Sequence, residues 1–334
     1  MKALTLLHEG FAHVSTGPTI KAGSDWLKYA DVPKPVIDAS QVLIRVLTAA
    51  VNPSDLHFIK GEYGQVRRLG AVAGFEGCGV VEQGPKALIG QRVAFFVSPD
   101  GSGAWAEYAV TQATACVPLH DGISRTDGAN QMVNPLTAVA MMQMVDGPVI
   151  ITAANSQLGK LMLGLARDAG ISAIAVVRGA TAANAIKDYG ATSILITENS
   201  DFVEKASSET LLLKPRIMLD AVGDQFSEKL FTYMPSRARW VSYGKLSTQS
   251  PCLTHMGQFI FMDKRIEGFW LSKWISNASK SELTSAIQKI QTRFVSGLWK
   301  TDVAQIVSLS KAVNELASAT KIKDGKVVLD ISGG

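Results

Sequence analysis

The chain has 334 residues and a formal net charge of +4, and 47% of its residues are hydrophobic. This length predicts two domains, and the apolar fraction is sufficient for sizeable cores. The modest charge, without a long basic run, argues against nucleic acid as a partner. No uninterrupted apolar run reaches the roughly 18 residues that a membrane span needs, so we expect no membrane association.

The cysteines and the first residues predict the cellular compartment. Cys78, Cys116 and Cys252 are odd in number and widely spaced, which argues against a disulfide framework and favours a reducing environment. The apolar run that begins the chain meets His8 and Glu9 at once and is too short for the core of a signal peptide. We therefore expect a cytoplasmic protein.

The first part of the chain reads as strands and turns. Residues 41–47 and 91–97 are the plainest strands, and glycines and prolines separate the remaining segments up to about residue 120. From about residue 126 the pattern changes, and a helix is predicted to begin near Pro135. A β-rich domain is thus expected to precede an α/β domain.

Residues 149–159 are the centre of the predicted α/β domain. Residues 149–152 predict a strand buried on both faces of a parallel sheet. The helix that should follow carries an apolar stripe at helical spacing: Leu158, Leu161, Met162, Leu165, Ala166 and Ala169. A strand, a tight turn and a helix form the first half of a dinucleotide-binding unit.

The turn itself departs from the G-x-G-x-x-G pattern of such units. Ala154, Ser156 and Gly159 occupy the three glycine places, so only the glycine that permits close helix packing remains. The helix N-terminus still favours a phosphate, and Asn155 with Ser156 can add side-chain donors. An ordinary turn without a ligand stays open as the alternative.

The second predicted strand, residues 172–178, indicates which nucleotide would bind. NAD enzymes tend to place an acid at its end, whereas this chain places Arg178 there. A guanidinium suits a 2′-phosphate, which predicts NADPH. A solvated surface arginine is the alternative.

The remaining pattern completes a doubly wound sheet. Further strands are predicted at 193–196, 216–220, 238–243 and 265–271, with helices at 181–189 and 225–234 between them. Six strands in alternation with helices are typical of a full doubly wound parallel sheet. The last sixty residues predict two more helical stretches and a strand at 326–330 that returns to the first domain.

Several motifs together resemble the medium-chain dehydrogenase/reductase superfamily. They are Val51-Asn52-Pro53-Ser54-Asp55, Gly61-Glu62-Tyr63-Gly64, the GFEGCGVV of 74–81, Asn134-Pro135-Leu136-Thr137-Ala138, residues 153–159 and Tyr243-Gly244-Lys245-Leu246. Within the superfamily, Gly268-Phe269-Trp270-Leu271 with Trp274 resembles the mitochondrial-type trans-2-enoyl thioester reductases. The NADPH:quinone oxidoreductases are the nearest alternative.

The resemblance implies an architecture for the whole chain. Residues 126–271 would form a Rossmann domain that binds NADPH, and residues 1–125 with 272–334 a GroES-like catalytic domain. An apolar sixth strand, 266–271, would leave a long unprotected sheet edge, which predicts a homodimer paired across that strand.

Departures from the zinc-dependent members of the superfamily predict a protein without metal. Their catalytic zinc needs a Cys in the loop that here reads Asn52-Pro53-Ser54-Asp55, and a His where this chain has Phe75. The loop of four cysteines for structural zinc is also missing, and the five histidines form no spaced pair. Without a Lewis acid, reduction of a conjugated C=C bond or a quinone is favoured over alcohol oxidation.

The resemblance implies that Tyr63 is the catalytic proton donor. A phenol with its ordinary pKa of roughly 10 stays protonated at neutral pH and can stabilise or protonate an enolate. A loop tyrosine that only packs against the substrate is the alternative, and quinone reductases often show a similar residue.

The cofactor contacts also follow from the resemblance. Asn134 is assigned to the nicotinamide half, and the pyrophosphate and adenosine phosphate to Asn155, Ser156, Gln157, Leu158, Gly159 and Arg178. The nicotinamide would be bordered by Tyr243, Gly244, Lys245, Leu246, Phe269, Trp270 and Leu271, and Lys326 completes the set. Lys245 departs from the small residue that often follows this glycine in the family.

The resulting hypothesis is an NADPH-dependent, zinc-independent reductase of an enoyl thioester. A quinone is the alternative acceptor, and a non-catalytic, crystallin-like NADPH-binding protein is the alternative outside the enzymes. Five basic residues are candidates for contact with coenzyme A or an acidic carrier protein, and scattered surface charge is the commoner explanation for such residues: Arg67, Arg68, Lys264, Arg265 and Lys273.

Overall fold

The computed structural model describes residues 1–322 and 325–332 and divides into two compact units. Unit 1 comprises residues 1–135 and 287–334, and unit 2 comprises residues 136–286. No helix among the described residues combines the length and apolarity that crossing a membrane requires.

Unit 1 is built around an antiparallel β-sheet. Its main sheet has the order β14-β15-β3-β4-β5-β7, in which only β14 and β15 are parallel, and β6 also pairs with β3. A separate ribbon joins β1 to β2. The strands are β1 Lys2–Leu6, β2 Leu27–Asp31, β3 Gln41–Val51, β4 Glu76–Gln83, β5 Arg92–Phe96, β6 Tyr108–Gln112, β7 Cys116–Pro118, β14 Val303–Ser308 and β15 Lys326–Asp330.

Short helices connect these strands and enclose one apolar core. Trp105 and Phe95 are the largest of its fully buried side chains. The helices are α1 Pro53–Ile59, α2 Arg125–Ala129, α3 Val133–Met142 (which continues into unit 2), α10 Lys280–Val295 (which begins there) and α11 Ala312–Ala319. The β-rich character expected of this part of the chain is confirmed, as is the strand predicted at 326–330.

Unit 2 contains a six-stranded parallel sheet of order β10-β9-β8-β11-β12-β13. In chain order this is 3-2-1-4-5-6, the doubly wound arrangement, which confirms the predicted fold class. Its crevice for ligands lies where the order reverses, between β8 and β11. The strands are β8 Val149–Thr152, β9 Ala173–Val177, β10 Ser193–Ile196, β11 Ile217–Asp220, β12 Arg239–Ser242 and β13 Arg265–Gly268.

Helices alternate with these strands, as the sequence predicts. They are α4 Gln157–Asp168, α5 Ala180–Asn184, α6 Phe202–Leu213, α7 Gln225–Tyr233, α8 Gly257–Ile260 and α9 Leu271–Asn277. The apolar stripe of α4 is buried from Leu161 to Ala166, while Ala169 is exposed at the C-terminal cap.

Two predicted elements are longer than the observed ones. The helix expected at 181–189 ends at Asn184, after which Ile186 and Tyr189 make only tight three-residue turns. The strand expected at 265–271 ends at Gly268, because its partner β12 ends at Ser242, and Leu271 already begins α9. A strand cannot continue its ladder beyond the strand that pairs with it.

Gly159 is the position where the β8–α4 turn tolerates no side chain. A Cβ there would lie 2.6 Å from the Cα and the carbonyl oxygen of Ala154. These neighbours are backbone atoms and cannot move aside without a shift of the turn. This contact confirms Gly159 as the glycine that permits close packing of the helix.

We expect Gly159→Ala to lower the free energy of unfolding by about 1–3 kcal/mol, as overpacking does elsewhere. Gly147→Ala is the matched control, since nothing lies within 4 Å of a Cβ at that position. Urea denaturation of both variants measures the difference. Equal stability of the two variants would contradict the steric argument.

Candidate functional site

The β8–α4 turn of unit 2 leads directly into the N-terminus of α4. Ser156 is the N-cap, and its Oγ accepts a hydrogen bond of 3.0 Å from the Gly159 amide. Ala154 is fully buried and its amide donates to Val176, so β9 fixes the turn from behind. Helix α4 has 12 residues, and the positive end of its dipole lies at this turn.

The end of β9 presents Arg178 to solvent. The Arg178 carbonyl accepts bonds from the Glu198 amide at 3.0 Å and from the Thr197 hydroxyl at 3.5 Å. The Glu198 carboxylate lies beside Gly179, where an added Cβ would be 2.7 Å from Oε2. Arg178, the residue predicted to bind a phosphate, is therefore followed by a glycine that lies beside an acid. The local sequence pattern does not reveal this acidic neighbour.

Asp220, at the carboxyl end of β11, connects this strand to its two neighbours in the sheet. Its fully buried carboxylate accepts hydrogen bonds from Thr152 Oγ1 of β8 at 2.6 Å and from Trp240 Nε1 of β12 at 2.8 Å. It also accepts bonds from Ser227 Oγ and from the amides of Val222 and Gly223. The crevice between β8 and β11 thus has a rigid floor.

The segment after β12 packs closely on this floor. A Cβ at Gly244 would lie 2.9 Å from the Ala221 carbonyl oxygen, and the Leu246 amide donates to that same oxygen. Tyr243 places its hydroxyl in a buried position without a hydrogen-bond partner. Burial, reinforced by the charge of Asp220, raises the pKa of this phenol. Tyr243 therefore stays neutral, whereas the Lys245 side chain is exposed.

Unit 2 thus brings most of the predicted cofactor residues to one edge of the sheet. They follow the carboxyl ends of strands β9, β8, β12 and β13 of the same sheet: Asn155, Ser156, Gln157, Leu158, Gly159, Arg178, Tyr243, Gly244, Lys245, Leu246, Phe269, Trp270 and Leu271. Asn134 and Lys326 belong to unit 1. The edge expected to bind a ligand and the predicted residues coincide.

In unit 1, Tyr63 lies half-buried against an aromatic cluster. Its ring centroid is 5.1 Å from that of Phe75, which in turn is 5.0 Å from that of Phe58. Such tilted ring pairs add to the stability of apolar packing. Phe75 therefore supports the phenol from the position where a metal-binding histidine would stand.

A buried polar cluster lies behind this aromatic cluster. Lys326 donates through Nζ to Asn52 Oδ1, and Asn52 Nδ2 donates to Glu76 Oε1 at 2.8 Å. Glu76 Oε2 accepts the amides of Met132 at 3.1 Å and Val133 at 2.8 Å. Asn134 is the next residue, so this chain of bonds fixes the backbone that presents it.

Asp55 completes the buried polar cluster. Its carboxylate accepts the Asn52 amide at 2.7 Å and the Phe75 amide at 2.8 Å. Burial raises the pKa of Asp55 to about 7 and also raises the pKa of Glu76, while it lowers the pKa of Lys326. The cluster holds two carboxyl groups beside a single ammonium, so it favours a bound proton near neutral pH.

Two of the basic residues for which the sequence left a phosphate contact or scattered surface charge open are buried. Arg67 is 6% exposed and donates to the carbonyls of Gly10, Ile59 and Glu9. Lys264 is 3% exposed and donates to the carbonyls of Phe231 and Thr232, and burial lowers its pKa to about 8. For these two residues neither a phosphate contact nor scattered surface charge is correct, because they are buried and their donors already satisfy buried carbonyl groups.

Comparison with known proteins identifies the family. The alcohol dehydrogenase GroES-like domain matches residues 38–121, and the zinc-binding dehydrogenase domain matches residues 158–292. The mitochondrial enoyl-[acyl-carrier-protein] reductase of Rattus norvegicus is 31% identical over 262 residues, which cover 75% of this chain and 70% of the relative. The chain belongs to the medium-chain dehydrogenase/reductase superfamily.

Solved structures of the superfamily agree in fold. A Mesorhizobium loti protein assigned as an NADPH:quinone reductase is 40% identical and superposes with a TM-score of 0.94, covering 99% of this chain and 98% of that chain. The Escherichia coli quinone oxidoreductase in complex with NADPH has a TM-score of 0.82 at 20% identity, covering 99% of this chain and all of that chain at 100%. Membership of the superfamily, the GroES-like domain and the expectation of an enzyme are confirmed.

The matched family name refers to zinc, but the positions of the catalytic ligands serve other purposes in this member of the superfamily. Asn52 connects Lys326 to Glu76, and Phe75 packs against Tyr63. Within residues 1–322 and 325–332, no group of three His, Cys, Asp or Glu side chains is arranged to bind a metal ion. The donor set at these positions does not fit zinc.

Some residues that shape the site leave only a weak signal in the sequence. Asp220 ends an apolar strand, which marks a polar group at a sheet edge, but its bonds to Thr152 and Trp240 depend on the tertiary fold. Glu76 begins β4 in the same way. Glu198 and Glu62 have no local pattern that distinguishes them from surface acids.

Lys326→Met should lower the free energy of unfolding by about 3–5 kcal/mol, because two buried carboxyl groups lose their cation. The loss should shrink as the pH falls from about 8 towards 5, since Asp55, with its raised pKa of about 7, then takes up a proton. Urea denaturation at several pH values measures both effects.

Lys321→Met, at an exposed lysine, is the control and should change the stability little. If Lys326→Met keeps the stability of the wild type and weakens only cofactor binding, Lys326 is a cofactor contact rather than a part of the cluster.

Proposed function

We propose that the chain is an NADPH-dependent, zinc-independent reductase that transfers hydride to the activated C=C bond of an enoyl thioester. The observation that carries the proposal is the phenol of Tyr63, supported by Phe75 at 5.1 Å in a position that zinc-dependent members give to a metal ligand. Similarity to enoyl-[acyl-carrier-protein] reductases at 31% identity supports the thioester.

NADPH is the cofactor, and unit 2 supplies its binding edge. The start of α4 receives the pyrophosphate, with Asn155, Ser156, Gln157 and Leu158 around it, and Arg178 receives the 2′-phosphate. The segments 243–246 and 269–271 border the nicotinamide. When bound, NADPH supplies the hydride.

The protein's own groups manage the charge that hydride addition creates. Hydride joins the β-carbon, and the electron pair of the C=C bond moves towards the thioester carbonyl, which gives an enolate. Tyr63 hydrogen-bonds this enolate oxygen or delivers its proton to the α-carbon. The phenol regains its proton from solvent, which completes the cycle.

A quinone is the second candidate acceptor. The protein from Mesorhizobium loti assigned as an NADPH:quinone reductase is 40% identical and covers 98–99% of the two chains. A quinone takes up hydride and its product oxygens can take protons from water, so it depends less on a protein donor.

We further propose a homodimer that pairs through β13, and a cytoplasmic location. Strand β13 is the last in the order of its sheet. The apolar side chains of Ile266, within this strand, and of Trp270, two residues after it, are 42% and 41% exposed. Uncovered sheet edges are usually protected by pairing. Light scattering at micromolar concentration distinguishes the dimer from a monomer.

Tyr63→Phe should reduce turnover of crotonyl-CoA by about 10²- to 10⁴-fold, the range of general-acid assistance. Reduction of 1,4-benzoquinone by the same variant should fall much less. NADPH oxidation with both acceptors measures the two rates, and Tyr29→Phe, at another half-buried tyrosine of unit 1, is the control. A wild type that reduces only quinones, with Tyr63→Phe unaffected, would replace the enoyl assignment with the quinone one.

Arg178→Ala should weaken NADPH binding by about 1–3 kcal/mol, the scale of one charge-assisted contact, and leave NADH binding nearly unchanged. Fluorescence titration of both nucleotides measures the two affinities. Arg216→Ala is the matched control, because Arg216 is also exposed but precedes β11 at the opposite edge of the sheet. An equal loss for both nucleotides would show that Arg178 does not contact the 2′-phosphate.

A further inference from the structure

The segment that carries Tyr63 is fixed by its neighbour Glu62. The Glu62 carboxylate accepts hydrogen bonds from Ser15 Oγ at 2.9 Å and from the amide and Oγ1 of Thr16, both at 2.8 Å. It also contacts Lys60 Nζ at 2.9 Å and His57 Nδ1 at 3.0 Å. Both carboxylate oxygens are therefore engaged by groups on two separate stretches of chain.

The bonds around Glu62 are shielded from water. The side chains of Glu62 and Lys60 are 3% and 2% exposed. Lys60 also donates to Thr16 Oγ1 at 2.9 Å and to the carbonyl of Gly17. Burial alone would raise the pKa of Glu62, but the bonds from Thr16, Lys60 and Ser15 outweigh it and lower the pKa to about 2. Glu62 is a fixed negative charge at neutral pH.

Arg67 supports the same segment from the other side. Gly61 has φ +78°, and a Cβ there would lie 2.7 Å from the Arg67 guanidinium, so the backbone lies directly against that group. The Gly61 carbonyl accepts a hydrogen bond from the Ala12 amide at 2.9 Å, and the Glu62 amide donates to the His57 backbone carbonyl at 2.8 Å. After Tyr63, residues 64–66 are exposed. Glu62 is thus the last buried side chain before the phenol.

We propose that Glu62 is the positioning residue for Tyr63. Its ionised carboxylate joins the turn at residues 60–62 to the segment 15–17, and so fixes the backbone from which the phenol reaches Phe75. This role rests on the proposed function of Tyr63 as donor. Glu62 moves no proton itself, because a group with a pKa of about 2 holds none at neutral pH.

The geometry explains why the charge matters as well as the shape. A neutral amide at position 62 would keep an oxygen for Thr16 and Lys60, which both contact Oε1, but its NH₂ group would replace the oxygen that meets Ser15 Oγ and His57 Nδ1. Ser15 and His57 would then have to change from donors to acceptors, and the buried Lys60 ammonium would lose its counter-charge. The turn would then shift, and a displacement of about 1 Å at a catalytic group can cost 10²-fold in rate.

A double-mutant cycle tests this role with Glu62→Gln, Tyr63→Phe and the double variant, all assayed with NADPH and crotonyl-CoA. Glu62→Gln should lower kcat by about 10- to 10²-fold with little change in KM. In the Tyr63→Phe background the same substitution should change kcat less than about 2-fold, because the donor it positions is gone. Equal losses in both backgrounds would overturn the proposal.

Two further variants make the cycle conclusive. Glu9→Gln makes the same change at an exposed acid and should match the wild type. Thr16→Val removes one donor to Glu62 and keeps the charge, so it should lower kcat by a smaller factor and serves if Glu62→Gln does not fold. Full activity of Thr16→Val together with a misfolded Glu62→Gln would reduce Glu62 to a structural residue.

The cycle also separates this proposal from the proposed function. If Tyr63→Phe alone keeps the activity of the wild type, the assignment of Tyr63 as donor fails. If Tyr63→Phe loses activity and Glu62→Gln does not, only the positioning role of Glu62 fails.

Discussion

The buried carboxylate of Glu76 is the group on which the arrangement of unit 1 depends. A carboxylate removed from water needs hydrogen-bond donors, and Glu76 finds three in Asn52 and in the amides of Met132 and Val133 at the start of α3. Meeting this requirement joins the end of β3, the start of β4 and the start of α3 at one point. Lys326 supplies the opposite charge through Asn52, so the C-terminal strand is needed to complete the same cluster.

Unit 2 also contains a buried carboxylate, that of Asp220, which needs hydrogen-bond donors in the same way. Asp220 finds its partners in hydroxyl, indole and amide donors rather than in a cation. These donors belong to β8, β12, α7 and the loop after β11, so the carboxyl edge of the sheet becomes rigid where a dinucleotide would lie. In both units hydrogen bonds offset the cost of burying an acid. Each of these bonds also constrains the position of the element that provides its donor.

Local patterns predicted the features that depend on neighbouring residues. Parallel strands buried on both faces are apolar runs, so β8 to β12 were found close to their observed bounds, and Gly159 was found because a tight turn leaves a recognisable glycine. The ends of β13 and α5 were not predicted correctly, since they depend on a partner strand and on tertiary packing. Glu62 bonds to Ser15, 47 residues away in the chain, and no local spacing records such a contact.

A phenol and a metal ion differ in how far the substrate itself must delocalise the negative charge that hydride transfer creates. Zinc stabilises a localised alkoxide, whereas the phenol of Tyr63 offers a single hydrogen bond or a single proton. In the proposed reaction the acceptor must therefore delocalise the charge itself, as a conjugated thioester or a quinone does. Under this proposal, Asn52 and Phe75 in the ligand positions restrict hydride transfer to such acceptors. The placement of one phenol would then decide the rate, which would give the buried, hydrogen-bonded acid at position 62 its physical reason.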